Sequence, residues 1–241
     1  MFKTKNSKIK IYTDGANLDS IIKLAKDDLI DGITTNPTLM KKSGVTNYMK
    51  FAKLAVKASQ GKSLSLEVFS DDLDEMINQA YKLSNLGDSV VVKIPITNSK
   101  GISTKRVIKE LINKKISVNI TAILSLTQID ECLDLIQHDS KIYISVFAGR
   151  IADTGRDPKD FIKHGLNKLN TKNFKKVEFL WASTREVYNI YEAADIGCNI
   201  ITVSPSILEK LRLKYYDLEK LSLETVQMFK SDSESAQYII E

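Results

Sequence analysis

Residues 89–96 read Ser-Val-Val-Val-Lys-Ile-Pro-Ile. Apart from Lys93, the interior of this run is apolar at consecutive positions, not alternate ones, and it is too short for a helix. A parallel strand reads this way when helices cover its sheet. Working outward, similar β-branched runs occupy residues 9–13, 32–35, 65–69, 117–122, 142–147, 177–182 and 199–203. Amphipathic patterns of helical period separate most of them, at 19–29, 73–86, 104–114, 127–137, 158–169, 186–196 and 206–215. Asp157-Pro158 and Ser204-Pro205 each place a capping residue before a proline, which marks a helix start. Residues 217–241 read as one more helix and a polar end.

Strict alternation of strand and helix forces parallel strands and right-handed crossovers. Two architectures satisfy that, a doubly wound sheet and a closed (β/α)8 barrel. About eight units in 241 residues favour the barrel. Thr13-Asp14-Gly15-Ala16-Asn17 lacks the glycine spacing a doubly wound nucleotide fold places after its first strand. The expectation is a single α/β domain over 1–241, a (β/α)8 TIM barrel with 217–241 as a C-terminal helical arm.

Composition is that of a globular chain, 43% hydrophobic and 27% charged. No apolar run approaches the roughly 20 residues that span a bilayer. The Lys-rich start is not followed by an apolar stretch, so a secretory signal and a membrane partner are not expected. The net charge of +5 is spread along the chain and forms no nucleic-acid stripe. Cys132 and Cys198 stand far apart in apolar context and read as buried free thiols of a reducing, cytoplasmic compartment. Two Cys and two His make a zinc cage improbable. His138, His164, the Lys3, Lys5, Lys8 and Lys10 series, Lys41-Lys42 and Lys175-Lys176 read as solvated surface. Tyr215-Tyr216 reads as helix packing.

In a barrel, chemistry gathers at the C-terminal ends of the strands. The polar residues there are Asp14, Thr35 and Asn36, Glu67, Lys93, Asn119 and Thr121, Ser145 and Arg150, Ser183 and Arg185, and Ser204. Lys93 is the most informative. A buried ammonium is costly, and an amine that sheds its proton attacks carbonyls. The competing reading is a structural ion pair with Asp14 or Glu67. Asp14 and Glu67 are candidate proton-transfer groups. Against that, Asp14 can simply cap the next helix and Glu67 can be an exposed edge residue. Arg150 and Arg185, with Ser183, can clamp a phosphate, or form ordinary surface salt bridges.

These residues resemble a family. Gly32-Ile33-Thr34-Thr35-Asn36-Pro37-Thr38-Leu39 and Val91-Val92-Lys93-Ile94-Pro95-Ile96-Thr97 are similar to blocks of the transaldolase/fructose-6-phosphate aldolase family. Thr13–Asn17, Asn119-Ile120-Thr121, Tyr143–Arg150 and Ala182–Arg185 extend the match in order over about residues 9–215. The resemblance implies a class I aldol mechanism without metal or cofactor. Lys93 would form the Schiff base with a ketose, Asp14 would take the C4 hydroxyl proton, and Glu67 with Thr121 would hold a water for carbinolamine chemistry. Thr35, Asn36, Asn119 and Ser145 would line the dihydroxyacetone subsite, and Arg150, Ser183 and Arg185 the phosphate subsite.

Glu67 and Phe147 resemble the transaldolase branch, where the aldolase branch has Gln and Tyr. That implies transfer of dihydroxyacetone from fructose 6-phosphate or sedoheptulose 7-phosphate to an aldose phosphate, within the non-oxidative pentose phosphate pathway. The alternatives are an aldolase-like lyase, a transaldolase of a modified sugar such as a sulfonated one, and a phosphosugar-binding barrel without catalysis. The compact length implies a homo-oligomer, a pentamer or decamer, with a dimer as the smaller option. Three residues depart from the pattern: Val146 replaces the usual Pro, Ala148 the usual Val, and Trp181 a small residue beside the expected anion site.

Overall fold

A computed structural model describes residues 3–4, 7–138, 140–172 and 174–240 of the chain. Eight parallel strands close into a barrel: β1 Lys10–Asp14, β2 Gly32–Thr34, β3 Ser63–Glu67, β4 Val90–Pro95, β5 Val118–Ile123, β6 Ile142–Val146, β7 Val177–Trp181 and β8 Ile200–Val203. Neighbours in sequence pair in order, and β8 returns to β1 with Ile201 opposite Ile11. Closure leaves no edge strand to protect. Before β1, Lys3–Thr4 and Ser7–Lys8 pair antiparallel, an element the alternating pattern does not contain. β3 begins and ends two residues earlier than residues 65–69 suggest. Its last residues leave the ladder because Gln79 Oε1 captures the N–H groups of Phe69 and Ser70 at 2.8 and 3.2 Å.

The helices follow from amphipathic faces and from caps. Asn17, Asn36, Asn47 and Asp72 each accept a backbone N–H of the following first turn, and Ser125 with Gln128 completes a capping box. Two helices between β2 and β3, Pro37–Lys42 and Tyr48–Ala58, and the short Ala148–Ala152 after Phe147 are absent from the sequence reading. The segment over 206–215 splits into a short helix, Pro205–Glu209, and a 3-10 turn, Lys210–Leu213. Tyr215 stands 91% exposed beneath Lys214 instead of packing. The last helix, Leu218–Ser235, buries none of its side chains. Beyond it, Tyr238, Ile239 and Ile240 are exposed.

Two apolar layers result. The larger lies between strands and helices, and Gly165 lets the helix Pro158–Lys172 approach β7, where any Cβ would stand 2.2 Å from the Phe179 ring. The smaller fills the lumen with Tyr12, Val91, Tyr143, Leu180, Ala182 and Ile200, and Phe147 packs against it. Tyr12 and Tyr143 meet edge to face, their hydroxyls 2.9 Å apart, and Ser63 Oγ lies 3.2 Å from Tyr143. Burial, then the neighbouring Tyr143, pushes the Tyr12 phenol up and keeps it protonated. At the strands' N-terminal ends, Lys10 pairs with Glu178 at 2.8 Å rather than standing free in solvent. His164 likewise is not merely solvated, because its Nε2 lies 2.7 Å from Asp130.

Gly32 lies directly beside Tyr12 on the neighbouring strand, and a Cβ there would stand 2.5 Å from the ring. Gly32→Ala is expected to cost about 1–3 kcal/mol through overpacking, read by denaturant unfolding. Cys132 and Cys198 are free and buried, and burial pushes both thiols up to about 12. In the unfolded chain they ionise near pH ~8.5. Their contribution to stability is therefore intact below that pH and fades as pH rises toward the folded value. Native protein should resist a thiol reagent that labels both residues once denatured, and the alkaline loss of stability should flatten in the double variant C132A/C198A.

Candidate active site

β4 carries Lys93 into the lumen, where it is 7% exposed. Its register neighbours are Glu67 on β3 and Asn119 on β5. Lys93 Nζ lies 2.9 Å from Glu67 Oε2 and donates to the Thr35 carbonyl at 2.8 Å. Of the two ion pairs open from sequence, the structure contains the one with Glu67. The carboxylate is thus within proton-transfer distance of the amine, so the pairing serves both the structural and the chemical reading. Glu67 is no edge residue, its side chain being 17% exposed.

Asp14 ends β1 and does not cap a helix, since Asn17 accepts from Ser20 N at 3.0 Å in that role. Asp14 Oδ1 instead accepts from Thr34 Oγ1 and, at 3.3 Å, from Thr202 Oγ1. The two threonines are themselves 2.7 Å apart. The opposite wall is Asn119, donating to Ser65 Oγ at 3.2 Å and accepting from Ser145 Oγ at 2.7 Å. Alternation along β5 turns Thr121 to the same side as Asn119. Its Oγ1 is buried without a hydrogen-bond partner in the protein. Such a group costs about 1–3 kcal/mol unless a ligand or water satisfies it. The strand bulges just beyond, with Ala122 at φ 62° and a register shift between Ile120 and Ile123.

Thr35 and Asn36 sit differently from the expectation. Thr35 is fully buried, and its hydroxyl donates to the Ser65 carbonyl at 2.9 Å. Its approach to Lys93 is through the main-chain oxygen. Asn36 Oδ1 accepts from Leu39 N at 2.9 Å as a helix cap, which leaves its amide donors for other partners.

The residues expected of an anion subsite lie where the loops after β6 and β7 meet. Ser183 lies at φ 65°, and a Cβ on Gly149 would fall 1.7 Å from the Ser183 carbonyl. Only glycine at 149 allows that approach. Arg150 is exposed, with its guanidinium 5.6 Å from the centre of the Phe147 ring. Arg185 is engaged on two sides: Nη1 reaches Ser183 O and Oγ at 3.1 and 3.0 Å, while Nε and Nη2 hold both oxygens of Asp153. Arg185 and Ser183 do meet, and the surface salt bridge weighed against them is present as well. Trp181 does not narrow the lumen. It packs outward, 1% exposed, in the layer between barrel and helices.

Two residues escaped the sequence reading. Asp153 directly follows the short helix Ala148–Ala152, in a stretch with no pattern to single it out. Tyr48 begins a helix that was not foreseen, yet its hydroxyl donates to the Glu67 carbonyl at 2.9 Å and its ring lies 4.6 Å from Phe69. Burial, then the Glu67 charge, pushes the Tyr48 phenol up.

The family model described as transaldolase/fructose-6-phosphate aldolase matches residues 11–239. A "probable transaldolase" of Nitrosopumilus maritimus is 36% identical over 216 residues, covering 90% of this chain and 92% of that protein. Another, of Thermoplasma volcanium, is 32% identical over 234 residues, 96% of this chain and 100% of that protein. Among solved structures, a HpcH/HpaI aldolase/citrate lyase family protein of Burkholderia cenocepacia superposes with a TM-score of 0.57 at 10% identity, covering 92% of this chain and 96% of that one. Dihydrodipicolinate synthase of Rhodopseudomonas palustris gives 0.53 at 10% identity, with 81% and 70% covered. At such identities the likeness concerns the barrel fold alone.

Tyr48→Phe removes one hydrogen bond and leaves the Glu67 carbonyl without that partner. The expected loss is about 1–3 kcal/mol in denaturant unfolding, larger than a Phe69→Leu change on the exposed side of the same ring pair.

Proposed function

We propose a function from one premise: the chain belongs to the transaldolase/fructose-6-phosphate aldolase family. It is a transaldolase that moves a dihydroxyacetone unit between phosphorylated sugars through a Schiff base on Lys93. The observation that carries this reading is the Lys93–Glu67 contact at 2.9 Å inside the lumen, where binding alone would need no amine.

The steps follow from the groups at hand. The Lys93 amine adds to the ketose carbonyl, and the carbinolamine loses water to give an iminium ion. Glu67, beside the nitrogen, passes the protons for that dehydration, and the Thr121 hydroxyl offers a buried anchor for the water involved. Asp14 accepts the proton of the C4 hydroxyl as the C3–C4 bond breaks. The bonding pair flows into the iminium and leaves an enamine on Lys93, while the shortened aldose departs. Asn36, Asn119 and Ser145 hold the three-carbon unit, and Thr35 contributes through its carbonyl. Phe147 carries no hydroxyl to protonate the enamine, so the unit waits for an acceptor aldehyde, whose addition reverses the sequence. Arg150 and Arg185 bind the sugar's anionic end.

The same reading places the enzyme in the non-oxidative pentose phosphate pathway of the cytoplasm. No described helix is long and apolar enough to cross a membrane. It also makes the chain a homo-oligomer, a pentamer or decamer. Leu218, Leu223, Val226, Met228 and Phe229 on the final helix are half or more exposed, which supports its use as a packing arm.

Borohydride reduction in the presence of fructose 6-phosphate, followed by peptide mapping, tests the proposal. A three-carbon or six-carbon adduct on Lys93 is expected, with turnover only when erythrose 4-phosphate is supplied. Release of free dihydroxyacetone without acceptor would make the enzyme a lyase. A folded protein with no adduct under saturating sugar would overturn the Schiff base.

A further inference from the structure

The two arginines of the anion subsite are not equivalent. Among the described residues Arg150 has no hydrogen-bond or ion-pair partner, and its donors are open to a ligand. Arg185 has most of its donors in use. Asp153 takes the Nε/Nη2 edge, which is the edge that grips an oxyanion with two parallel bonds. Ser183 takes Nη1 twice. One N–H of Nη2 remains. Arg185, then Arg150, holds the Asp153 carboxyl below its usual range, so it stays ionised wherever sugars are bound. Two guanidiniums facing one carboxylate leave a single net positive charge at this corner.

We infer that Asp153 is a specificity-determining residue: it lowers the charge of the anion subsite and blocks two-pronged binding by Arg185, so that the subsite discriminates less between doubly and singly charged anions than the two arginines alone would. A ligand's anionic end is gripped by Arg150 and touched by Arg185 through one donor and the Ser183 hydroxyl. This rests on the proposed anion subsite and names the residue that sets its selectivity.

The mechanism is plain electrostatics. A fixed carboxylate roughly 7 Å from the ligand, in a dielectric near that of water, weakens a monoanion about threefold and a dianion about sevenfold. Asp153→Asn keeps an oxygen that can accept from Arg185 Nε while removing the charge. Asp153 is half exposed, so the variant should fold, and its circular dichroism and Tm serve as the check.

The test uses inorganic phosphate near pH ~8, where it is mainly a dianion, and methanesulfonate as the monoanion, each titrated into the full chain by calorimetry. Asp153→Asn should tighten phosphate about sevenfold and methanesulfonate about threefold, with both gains shrinking in added salt. Equal gains for the two anions, no gain, or weaker binding would overturn the inference. Titration needs no turnover, so it separates from the Schiff-base question: a missing Lys93 adduct with the predicted anion shift would leave this inference standing. Loss of phosphate binding in Arg150→Ala, with methanesulfonate lost in parallel, is expected. Retention of both anions in that variant would show that they bind elsewhere, and would overturn it.

Discussion

An ammonium enclosed in a barrel lumen needs a counter-charge and hydrogen-bond acceptors, and the rest of the site is arranged around that need. Lys93 finds its counter-charge on β3 and its acceptor on the segment just after β2. Removing one partner of such a buried pair typically costs about 3–5 kcal/mol, because the other charge stays uncompensated. The register that sets Glu67 opposite Lys93 is therefore as much a condition of folding as of chemistry. Tyr48 holds the Glu67 main chain from outside the barrel, and the Thr35 hydroxyl ties its own strand end to Ser65. The pair is fixed from both flanks.

The lumen divides by depth. Toward the strands' N-terminal ends it is filled by Tyr12, Tyr143, Leu180 and Ile200, with the two phenols satisfying each other. That layer is a packed floor. Above it, the same alternating positions turn polar: Asp14, Thr34, Glu67, Lys93, Asn119 and Ser145. Apart from the bonds of Lys93 to Glu67 and Thr35, their hydrogen bonds form two groups, Asp14 with Thr34 and Thr202, and Ser65 with Asn119 and Ser145. Rigid strands hold both in place, as the proposed mechanism requires. The anion corner rests on loops instead, and there glycine at 149 and a left-handed Ser183 bring two loops into contact.

Much of this was legible in residue order. The barrel announced itself because several strands, such as Val90–Pro95, are apolar on both faces and strand and helix patterns alternate along the chain. The strand-end polar residues could be named before any contact was known, since alternation aims them at one lumen. Helices such as Tyr48–Ala58 were harder to see. Lys50, Lys53 and Lys57 lie on its exposed face and Phe51, Ala52 and Ala55 on its buried one, but a second helix before the next strand breaks the one-strand, one-helix alternation that guided the reading. β3 slipped by two residues because a side chain ten residues further along, Gln79, decides where the ladder stops, and local β-propensity at Val68 and Phe69 points the other way.

The sequence by itself determined the strand–helix alternation, the absence of a glycine-rich nucleotide turn and the set of polar residues at the barrel mouth. Those are consequences of periodicity, which is local. Only the tertiary structure decided that Lys93 pairs with Glu67 and not Asp14, that Trp181 faces away from the lumen, and that Asp153 occupies the binding edge of Arg185. Each of these depends on which side chains meet across strands or loops tens of residues apart, and closure of the barrel, not the run of residues, sets those meetings.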